Sequence, residues 1–342
     1  MIKGSNVLVT GGAGSVGGFL VRRILSEGPA VVRVFDNNEA NIAQLKQSFD
    51  DNRLRYLTGD VRDKDRLARA INGIDIVVHT AALKHVDISE YNPFEAVKTN
   101  VVGLQNVVDA AIDSQVQRVV FTSSDKAVDP ANTMGTTKLL GEKLITAGNK
   151  YKGRADLKLA SVRFGNVINS SQSVVPVFRE QIRNGGPVTI TDERMTRFFL
   201  TWGQLGDLII EAIEKTEGGE VFIYKMDAMR IEDLAEVMID SLAPKYGYDP
   251  EQIERRYIGK RIGETIHEET LTDREVARTI EGESTYAIQP EAVDQNGYLT
   301  HDGLSGYSAA ESVIQSSENA EKLNRDEIHS VLQENGALEV SQ

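Results

Sequence analysis

A doubly wound α/β fold, with a mostly parallel sheet and a smaller C-terminal lobe, is the fold class that this sequence of 342 residues predicts. Short β-branched apolar runs alternate with longer helical segments over the first half, and a glycine-rich turn directly follows the first run. The alternation loosens after about residue 168. Because strands joined by helices of this length form right-handed βαβ units, the strands of the first half should be parallel.

The apolar runs and helical segments of the first half can be taken in order. Strands are predicted at residues 6–10, 31–35, 55–57, 74–79 and 118–122, and helices at 17–26, 39–49, 63–71 and 93–114. This succession is typical of a Rossmann-like domain, in which ligands bind beyond the carboxyl ends of the strands.

The second half mixes shorter elements with polar loops. Strands are predicted at 187–191, 220–225 and 254–258, and helices at 202–215, 231–241 and 325–334. We therefore expect a Rossmann-like domain over 1–168, rejoined by 200–226, and a smaller lobe over 169–290 that closes over the carboxyl edge of the sheet. A polar extension over 291–342 should be loosely ordered outside its one helix.

Composition excludes several classes of protein. The net charge of −13 argues against a nucleic-acid binder, which needs a basic face. The chain has no cysteine, which removes disulfides and thiolate chemistry, and neither His79 nor His85 has the partners of a metal site, so no metal is expected. No apolar run is long enough to span a bilayer and no signal peptide precedes the first strand, so a cytoplasmic protein is expected.

The glycine-rich turn indicates a dinucleotide site. Residues 11–17 read GGAGSVG, and the turn opens a helix whose N-terminus can face a pyrophosphate. Asp36 ends the second strand, where a carboxylate accepts hydrogen bonds from ribose hydroxyls and repels a 2′-phosphate, so NAD is favoured over NADP. The residues expected to line the cofactor from successive turns are Gly11, Gly14, Ser15, Val16, Gly17, Asp36, Asn37, Asp60, Val61, Ala81 and Ala82.

A second motif follows the fifth strand. Residues 122–130 read TSSDKAVDP, and Met134 and Lys138 follow with helical i, i+4 spacing, so both should face the cofactor. The segment is similar to the short-chain dehydrogenase motif in which a Ser or Thr precedes Tyr-x-x-x-Lys. Met134 stands where the tyrosine is expected, and a thioether cannot transfer a proton.

A more specific resemblance covers roughly residues 5–290, and seven stretches carry it. They lie at 79–86, 91–95, 100–103, 124–128, 163–167, 195–199 and 259–264. They resemble the polysaccharide-biosynthesis branch of the extended short-chain dehydrogenases, the UDP-N-acetylglucosamine 4,6-dehydratases, within which one subset carries Met in place of Tyr. The resemblance implies that residues 1–168 form an NAD-binding domain and residues 169–290 a nucleotide-sugar-binding lobe. The chain departs from the family at residues 170–173 and 262–265, both in that lobe.

The resemblance implies roles for single residues. Asp125 would be the acid for the C6 hydroxyl, Lys126 the base at C5 and Ser124 the partner of O4, while Lys138 would hold the nicotinamide ribose. Met134 would pack against the cofactor. Lys84 and Asn100 complete the implied cofactor set. The implied ligands of the UDP-sugar are Lys84, Asn166, Arg197, Arg261 and Glu264.

Two other functions fit the same fold and cofactor. A C4 epimerase of UDP-N-acetylhexosamines needs no acid at C6 and no base at C5, so the adjacent Asp125 and Lys126 speak against it. A non-catalytic NAD-binding sensor would have little reason to keep Ser124, Asp125, Lys126 and Lys138 together. The resemblance also implies a homo-oligomer.

Overall fold

The computed structural model describes residues 1–171, 173–260, 263–291 and 303–340. The strands in these ranges are β1 (Asn6–Thr10), β2 (Val31–Asp36), β3 (Leu54–Thr58), β4 (Ile76–His79), β5 (Arg118–Thr122), β6 (Lys158–Arg163), β7 (Asn166–Val167), β8 (Val188–Ile190), β9 (Thr196–Leu200), β10 (Val221–Tyr224), β11 (Asp227–Arg230), β12 (Arg255–Tyr257), β13 (Thr279–Glu281), β14 (Thr285–Ile288) and β15 (Ser308–Ala309).

The α-helices of the same ranges follow in chain order. They are α1 (Ser15–Ser26), α2 (Glu39–Gln47), α3 (Lys64–Ile71), α4 (Val86–Tyr91), α5 (Pro93–Ala96), α6 (Gly103–Asp113), α7 (Thr133–Tyr151), α8 (Val174–Arg183), α9 (Trp202–Lys215), α10 (Ile231–Leu242), α11 (Asp273–Val276) and α12 (Arg325–Glu334). Within the described ranges, no helix is both long and apolar enough to cross a bilayer.

Ten strands form the central sheet, in the order β15-β13-β14-β10-β6-β5-β4-β1-β2-β3. Neighbouring strands from β3 to β10 are parallel, whereas β14, β13 and β15 extend the sheet in antiparallel pairs. β1 pairs with β2 on one side and β4 on the other, so the strand order reverses there and leaves a crevice beyond their carboxyl ends. The predicted doubly wound α/β fold is confirmed.

Apolar side chains fill both faces of this sheet. Along β1, Val7 and Val9 belong to one buried cluster and Leu8 to another, because successive strand residues point to opposite faces. The first cluster includes residues of α1 and α9, and the second includes residues of α3, α6 and α7. The continuous burial of β4 and β5 is typical of parallel strands covered on both sides.

The lobe has a separate core and two small sheets, β11-β9-β7 and β12-β8. Ile328 and Leu332 of α12 are buried in that core beside residues of α8 and α10. The helix predicted over 325–334 is present as α12. Residues 303–324, which we expected to be loosely ordered, instead add β15 to the central sheet and form β-bridges at Ser316 and Lys322. The rest of the extension, 292–302 and 341–342, lies outside the described residues.

Candidate active site

Two cavities lie at the carboxyl edge of the parallel strands. The glycine-turn cavity has a volume of about 1000 Å³ and is lined by the loops that follow β1, β2, β3 and β4. The lobe cavity has a volume of about 780 Å³ and is lined by the loop after β5 and by residues of the lobe. Five residues line both cavities: Lys84, His85, Lys126, Asn166 and Ser173. The two spaces are therefore neighbours that meet at these residues.

The turn after β1 is rich in glycine and packs closely against the loop after β4. Gly11 has a positive φ of 65°, and a Cβ there would lie 2.7 Å from the backbone of Ala81. Helix α1 begins at Ser15, so its first N–H groups face the cavity. The Asp36 carboxylate at the rim accepts hydrogen bonds from the backbone N–H groups of Ala13 (3.0 Å) and Asn38 (2.9 Å). Such a cradle suits a dinucleotide.

All but one of the predicted cofactor residues line the glycine-turn cavity. They are Gly11, Gly14, Ser15, Val16, Gly17, Asp36, Asn37, Asp60, Val61, Ala81, Ala82, Lys84 and Lys138.

Asn100 is the exception. It is 1% exposed, and its amide bonds the backbone N–H (2.8 Å) and carbonyl (3.0 Å) of Leu83 and the hydroxyl of Thr137 (2.9 Å). Asn100 therefore stabilises the conformation of the loop after β4 and does not itself line the cavity.

The segment after β5 brings an acid and a base to the boundary between the cavities. A 3₁₀ turn covers Asp125–Ala127, and the Ser124 side chain caps it. Helix α7 passes so close that a Cβ on Gly135 would overlap the carbonyl oxygen of Lys126. Glycine at this position lets the helix that carries Met134 and Lys138 approach the turn.

Lys126 bridges two buried carboxylates. Its Nζ lies 3.1 Å from Asp125 Oδ1 and 3.0 Å from Glu268 Oε1. Ser124 Oγ donates a hydrogen bond to Asp125 Oδ1 (2.6 Å), and Asp125 Oδ2 is buried without a donor from the described residues. The Lys126 side chain is 31% exposed, against 1% for Asp125 and 6% for Glu268. Lys126 is thus the member of this trio that is most open to a ligand.

Burial and neighbouring charges shift the pKa values of Lys126, Asp125 and Glu268 in different directions. Burial alone would lower the pKa of Lys126, but the charges of Asp125 and Glu268 outweigh it and raise that pKa. Burial likewise favours neutral Asp125, yet the charge of Lys126 and hydrogen bonds from its neighbours lower the Asp125 pKa. Burial first, and the charge of Asp125 second, raise the pKa of Glu268 to about 7. Glu268 is therefore the carboxyl of the two that is easier to protonate.

Met134 and Lys138 both line the glycine-turn cavity, as their spacing predicts. Met134 is 4% exposed. Lys138 donates a hydrogen bond from Nζ to the carbonyl oxygen of Thr122 (2.8 Å), and its Nζ lies 4.8 Å from the ring centre of Phe121. Burial lowers the pKa of Lys138 to about 8.

The predicted sugar-nucleotide residues fall into two groups. Lys84, Asn166, Arg197 and Glu264 line the lobe cavity, whereas Arg261 lies outside the described residues. Lys84 Nζ donates to the carbonyl of Ser171 (3.2 Å), and burial lowers the pKa of Lys84.

Arg197 is largely committed to the protein itself. Its guanidinium bonds the carbonyls of Thr196, Ile266 and Thr265 at 2.7 to 2.9 Å, and its Nε lies 3.1 Å from Glu268 Oε1. This geometry makes Arg197 an anchor for the loop that carries Glu268.

Glu268 is a site residue that sequence reasoning missed. Besides Lys126 and Arg197, it accepts a hydrogen bond from Asn166 Nδ2 at Oε2 (3.1 Å), and its backbone N–H donates to Ser317 Oγ (2.9 Å). It lies four residues beyond Glu264, one of the residues implied by the resemblance, and that proximity was the only signal in the sequence. Among the described residues, no cluster of His, Asp and Glu side chains is arranged to hold a metal ion.

The sheet order, the glycine turn and the acid/base segment together define a protein of the extended short-chain dehydrogenase/reductase class. A family model described as polysaccharide biosynthesis protein matches residues 7–290. The chain belongs to that family, and the resemblance seen in the sequence is confirmed.

Several curated relatives align over most of the chain. An uncharacterized membrane protein of Methanocaldococcus jannaschii is 45% identical over 332 residues, which cover 97% of this chain and 96% of that protein. An inverting UDP-N-acetylglucosamine 4,6-dehydratase of Campylobacter jejuni is 37% identical and covers 89% of each chain. A UDP-glucose 4-epimerase of Rickettsia conorii is 34% identical and covers 97% and 96%.

Solved structures share the fold. Pen from Bacillus thuringiensis aligns with a TM-score of 0.87 at 40% identity, covering 97% of this chain and 98% of that one. A dTDP-glucose 4,6-dehydratase of Streptomyces venezuelae, solved with NAD and TYD bound, aligns with a TM-score of 0.66 at 27% identity, covering 76% and 86%.

Proposed function

We propose that this protein is an NAD-dependent 4,6-dehydratase of a UDP-N-acetylhexosamine, with UDP-N-acetylglucosamine as the first substrate to test. The observation that carries the proposal is the Asp125 and Lys126 pair at the boundary between the two cavities, with Ser124 bonded to Asp125. An elimination needs an acid and a base on the same part of the sugar, and this pair supplies both. The curated 4,6-dehydratase relative at 37% identity supports the same reaction.

The glycine-turn cavity fits NAD. The turn at Gly11 and the N-terminus of α1 suit the pyrophosphate, and the Asp36 carboxylate suits ribose hydroxyls and disfavours a 2′-phosphate. Lys138 would hold the nicotinamide ribose. When bound, NAD takes a hydride from C4 of the sugar and returns it to C6. The NAD-bound 4,6-dehydratase structure supports this choice of cofactor.

The chain's own residues would handle the protons. Ser124 would hydrogen-bond the O4 hydroxyl, in the place that a tyrosine usually takes. Lys126, open to the lobe cavity, would remove the C5 proton, and Asp125 would protonate the departing C6 hydroxyl. Lys84, Asn166 and Glu264 would contact the UDP-sugar from the walls of the lobe cavity. The ketone product would then feed the synthesis of a surface polysaccharide or glycoprotein sugar.

Incubation with UDP-N-acetylglucosamine and NAD tests the function directly. We expect a product lighter by one water molecule, detected by mass spectrometry, with a new C6 methyl signal in proton NMR. Asp125→Asn should lower the rate by roughly 10²- to 10⁴-fold, as is typical for removal of a general acid, while NAD binding is retained. NAD binding without turnover of any UDP-sugar would contradict the proposal and favour a sensor.

A C4 epimerase is the second candidate, because the Rickettsia conorii relative carries that name. An epimerase rearranges the sugar without a change of mass. A product of unchanged mass with inverted C4 would therefore decide for this alternative.

We also propose that the protein is a homo-oligomer. Large apolar side chains are exposed on the neighbouring helices α4, α5 and α7 and on the turn that follows α5. They are Ile88, Tyr91, Phe94, Val102 and Leu140.

A further inference from the structure

The charge state of Lys126 raises a chemical difficulty for the proposed reaction. A base at C5 needs a free electron pair on Nζ. Lys126 instead lies between Asp125 at 3.1 Å and Glu268 at 3.0 Å, an environment that favours the ammonium form. The amine must therefore pass its proton to a neighbour before it can act.

We propose that Glu268 is the positioning residue that accepts the proton of Lys126 and so makes the amine available as the base at C5. This inference rests on the proposed function. Glu268 Oε1 and Lys126 Nζ are already in hydrogen-bond contact, and Glu268 faces the same cavity. Its carboxyl is buried, and burial makes the neutral acid accessible near neutral pH.

Asp125 is the other carboxylate within reach, but the reaction gives it a different proton. Asp125 must donate to the C6 hydroxyl, and Ser124 Oγ already donates a hydrogen bond to Asp125 Oδ1 at 2.6 Å. As C4 is oxidised, the O4 proton can pass to Ser124 Oγ while the hydroxyl proton of Ser124 passes to Asp125. Asp125 thus receives a proton that originates at O4, through Ser124, whereas Glu268 receives its proton from Lys126.

The proton balance closes over one turnover. The N–H bond of Lys126 breaks and an O–H bond forms on Glu268. The C5–H bond then breaks, its proton joins Lys126 Nζ, and its electrons form the enolate of the C4 ketone. The C6–O bond breaks as Asp125 gives its proton to the departing oxygen, which leaves as water. After C6 has received the hydride, Lys126 returns a proton to C5 and recovers the one held by Glu268.

The surroundings of Glu268 suit a carboxyl that changes its charge. Lys126 and Arg197 face it as cations, Asp125 as an anion, and Asn166 as a neutral donor. The neighbouring His267 is engaged elsewhere, with Nδ1 2.8 Å from Thr196 Oγ1. The contact of Arg197 Nε with Glu268 Oε1, at 3.1 Å, keeps the Glu268 side chain in place.

Glu268→Gln tests the inference, because the amide keeps the size of the side chain but cannot accept the proton. The rate of water loss from UDP-N-acetylglucosamine is measured from pH 5 to pH 9. Since Glu268 must be ionised to accept a proton, the wild-type rate should fall as the pH drops through a transition near neutrality. In Glu268→Gln we expect kcat to fall by roughly 10²-fold or more, the transition to disappear, and KM to change by less than about threefold.

Two variants control the experiment. Glu275→Gln is the matched control, because it also removes a buried carboxylate that is paired with an arginine, Arg163. Glu275 lines neither cavity, so this variant should keep the wild-type kcat and pH profile. Glu268→Asp keeps a carboxyl, and should keep the transition at a reduced rate. If Glu268→Gln does not fold, the pH profile of Glu268→Asp serves as the test.

The outcomes separate the two proposals. A Glu268→Gln enzyme within about threefold of the wild-type kcat, or one that keeps the transition, overturns the role of Glu268 and leaves the dehydratase function standing. A Glu268→Asp enzyme without the transition also overturns that role. A wild-type protein that removes water from no UDP-sugar overturns the proposed function, and the role of Glu268 falls with it.

Discussion

Met134 occupies the position at which a tyrosine would normally transfer a proton, yet its thioether can only pack. We therefore expect Met134→Ala to cost far less than Asp125→Asn. Truncation of a buried side chain beside the cofactor should slow dehydration by roughly tenfold, or about 1.4 kcal/mol of barrier. Parallel rate measurements on the two variants check this, with mass spectrometry as the readout. A loss for Met134→Ala equal to that of Asp125→Asn would mean that position 134 does more than pack.

The substitution Met134→Tyr tests whether a phenol at this position would increase the rate. Met134 lines the glycine-turn cavity, where a phenol would compete for space with the sugar and Ser124, so we expect no gain in rate. A large gain would show that removal of the O4 proton limits the enzyme and that Ser124 replaces the phenol poorly.

Which site residues the sequence could predict depended on how far apart they lie in the chain. Ser124, Asp125 and Lys126 are consecutive, so their common location needed no knowledge of the fold. Glu268 lies 142 residues beyond Lys126, in a polar stretch that reads as ordinary surface. Arg197 was a UDP-sugar ligand implied by the resemblance, but the sequence could not show that its guanidinium donates to three backbone carbonyls.

Elements with a strong apolar period were predicted best. The observed bounds of β1, β5, α9 and α12 are the predicted ones. The single helix predicted over 93–114 is instead interrupted by a π-helical turn at Val97–Val102. Asn100 lies in that turn and reaches the loop after β4. A helical pattern cannot reveal such a turn, because the reason for it lies in a distant loop.

A buried ionic cluster joins elements that are far apart in the chain. Arg163, at the end of β6, contacts Glu142 of α7 at 2.7 Å and Glu275 of α11 at 3.0 Å. Removing one partner leaves buried charge poorly compensated, so Glu275→Gln should lower the free energy of unfolding by roughly 3 kcal/mol. Chemical denaturation at pH 7 measures this. An unchanged midpoint would contradict a stabilising role.

The same cluster gives this prediction a pH dependence. Burial opposes ionisation of Glu275, but hydrogen bonds from Arg163 and its charge prevail and lower the Glu275 pKa from 4.5 to about 2. A carboxyl whose pKa is lower in the folded state stabilises the fold above its unfolded pKa, and this stabilisation is lost as the pH falls. The stability advantage of the wild type over Glu275→Gln should therefore shrink between about pH 5 and pH 2.

At the scale of the whole molecule, the exposed apolar side chains on α4, α5 and α7 should be covered by another copy of the chain. Tyr91 is 88% exposed and Phe94 is 68% exposed, which is costly for side chains of that size. We expect a mass of at least twice 37.6 kDa by light scattering, and a monomer for the double variant Tyr91→Glu, Phe94→Glu. Wild-type protein that stays monomeric at micromolar concentration would contradict this expectation.

The hydrogen bond between Glu268 and Ser317 bears on the stage of translation at which the site becomes complete. The Ser317 hydroxyl is also hydrogen-bonded to Thr196 Oγ1 (2.7 Å). Ser317, which follows residue 290 in the chain, therefore joins the Glu268 loop to β9. A growing chain released only as far as residue 290 would carry the complete family match and every strand of the cofactor crevice. Its proton-handling cluster would still lack its final anchor. Competence for the reaction should thus arrive only once Ser317 has been added, later than competence to hold the dinucleotide.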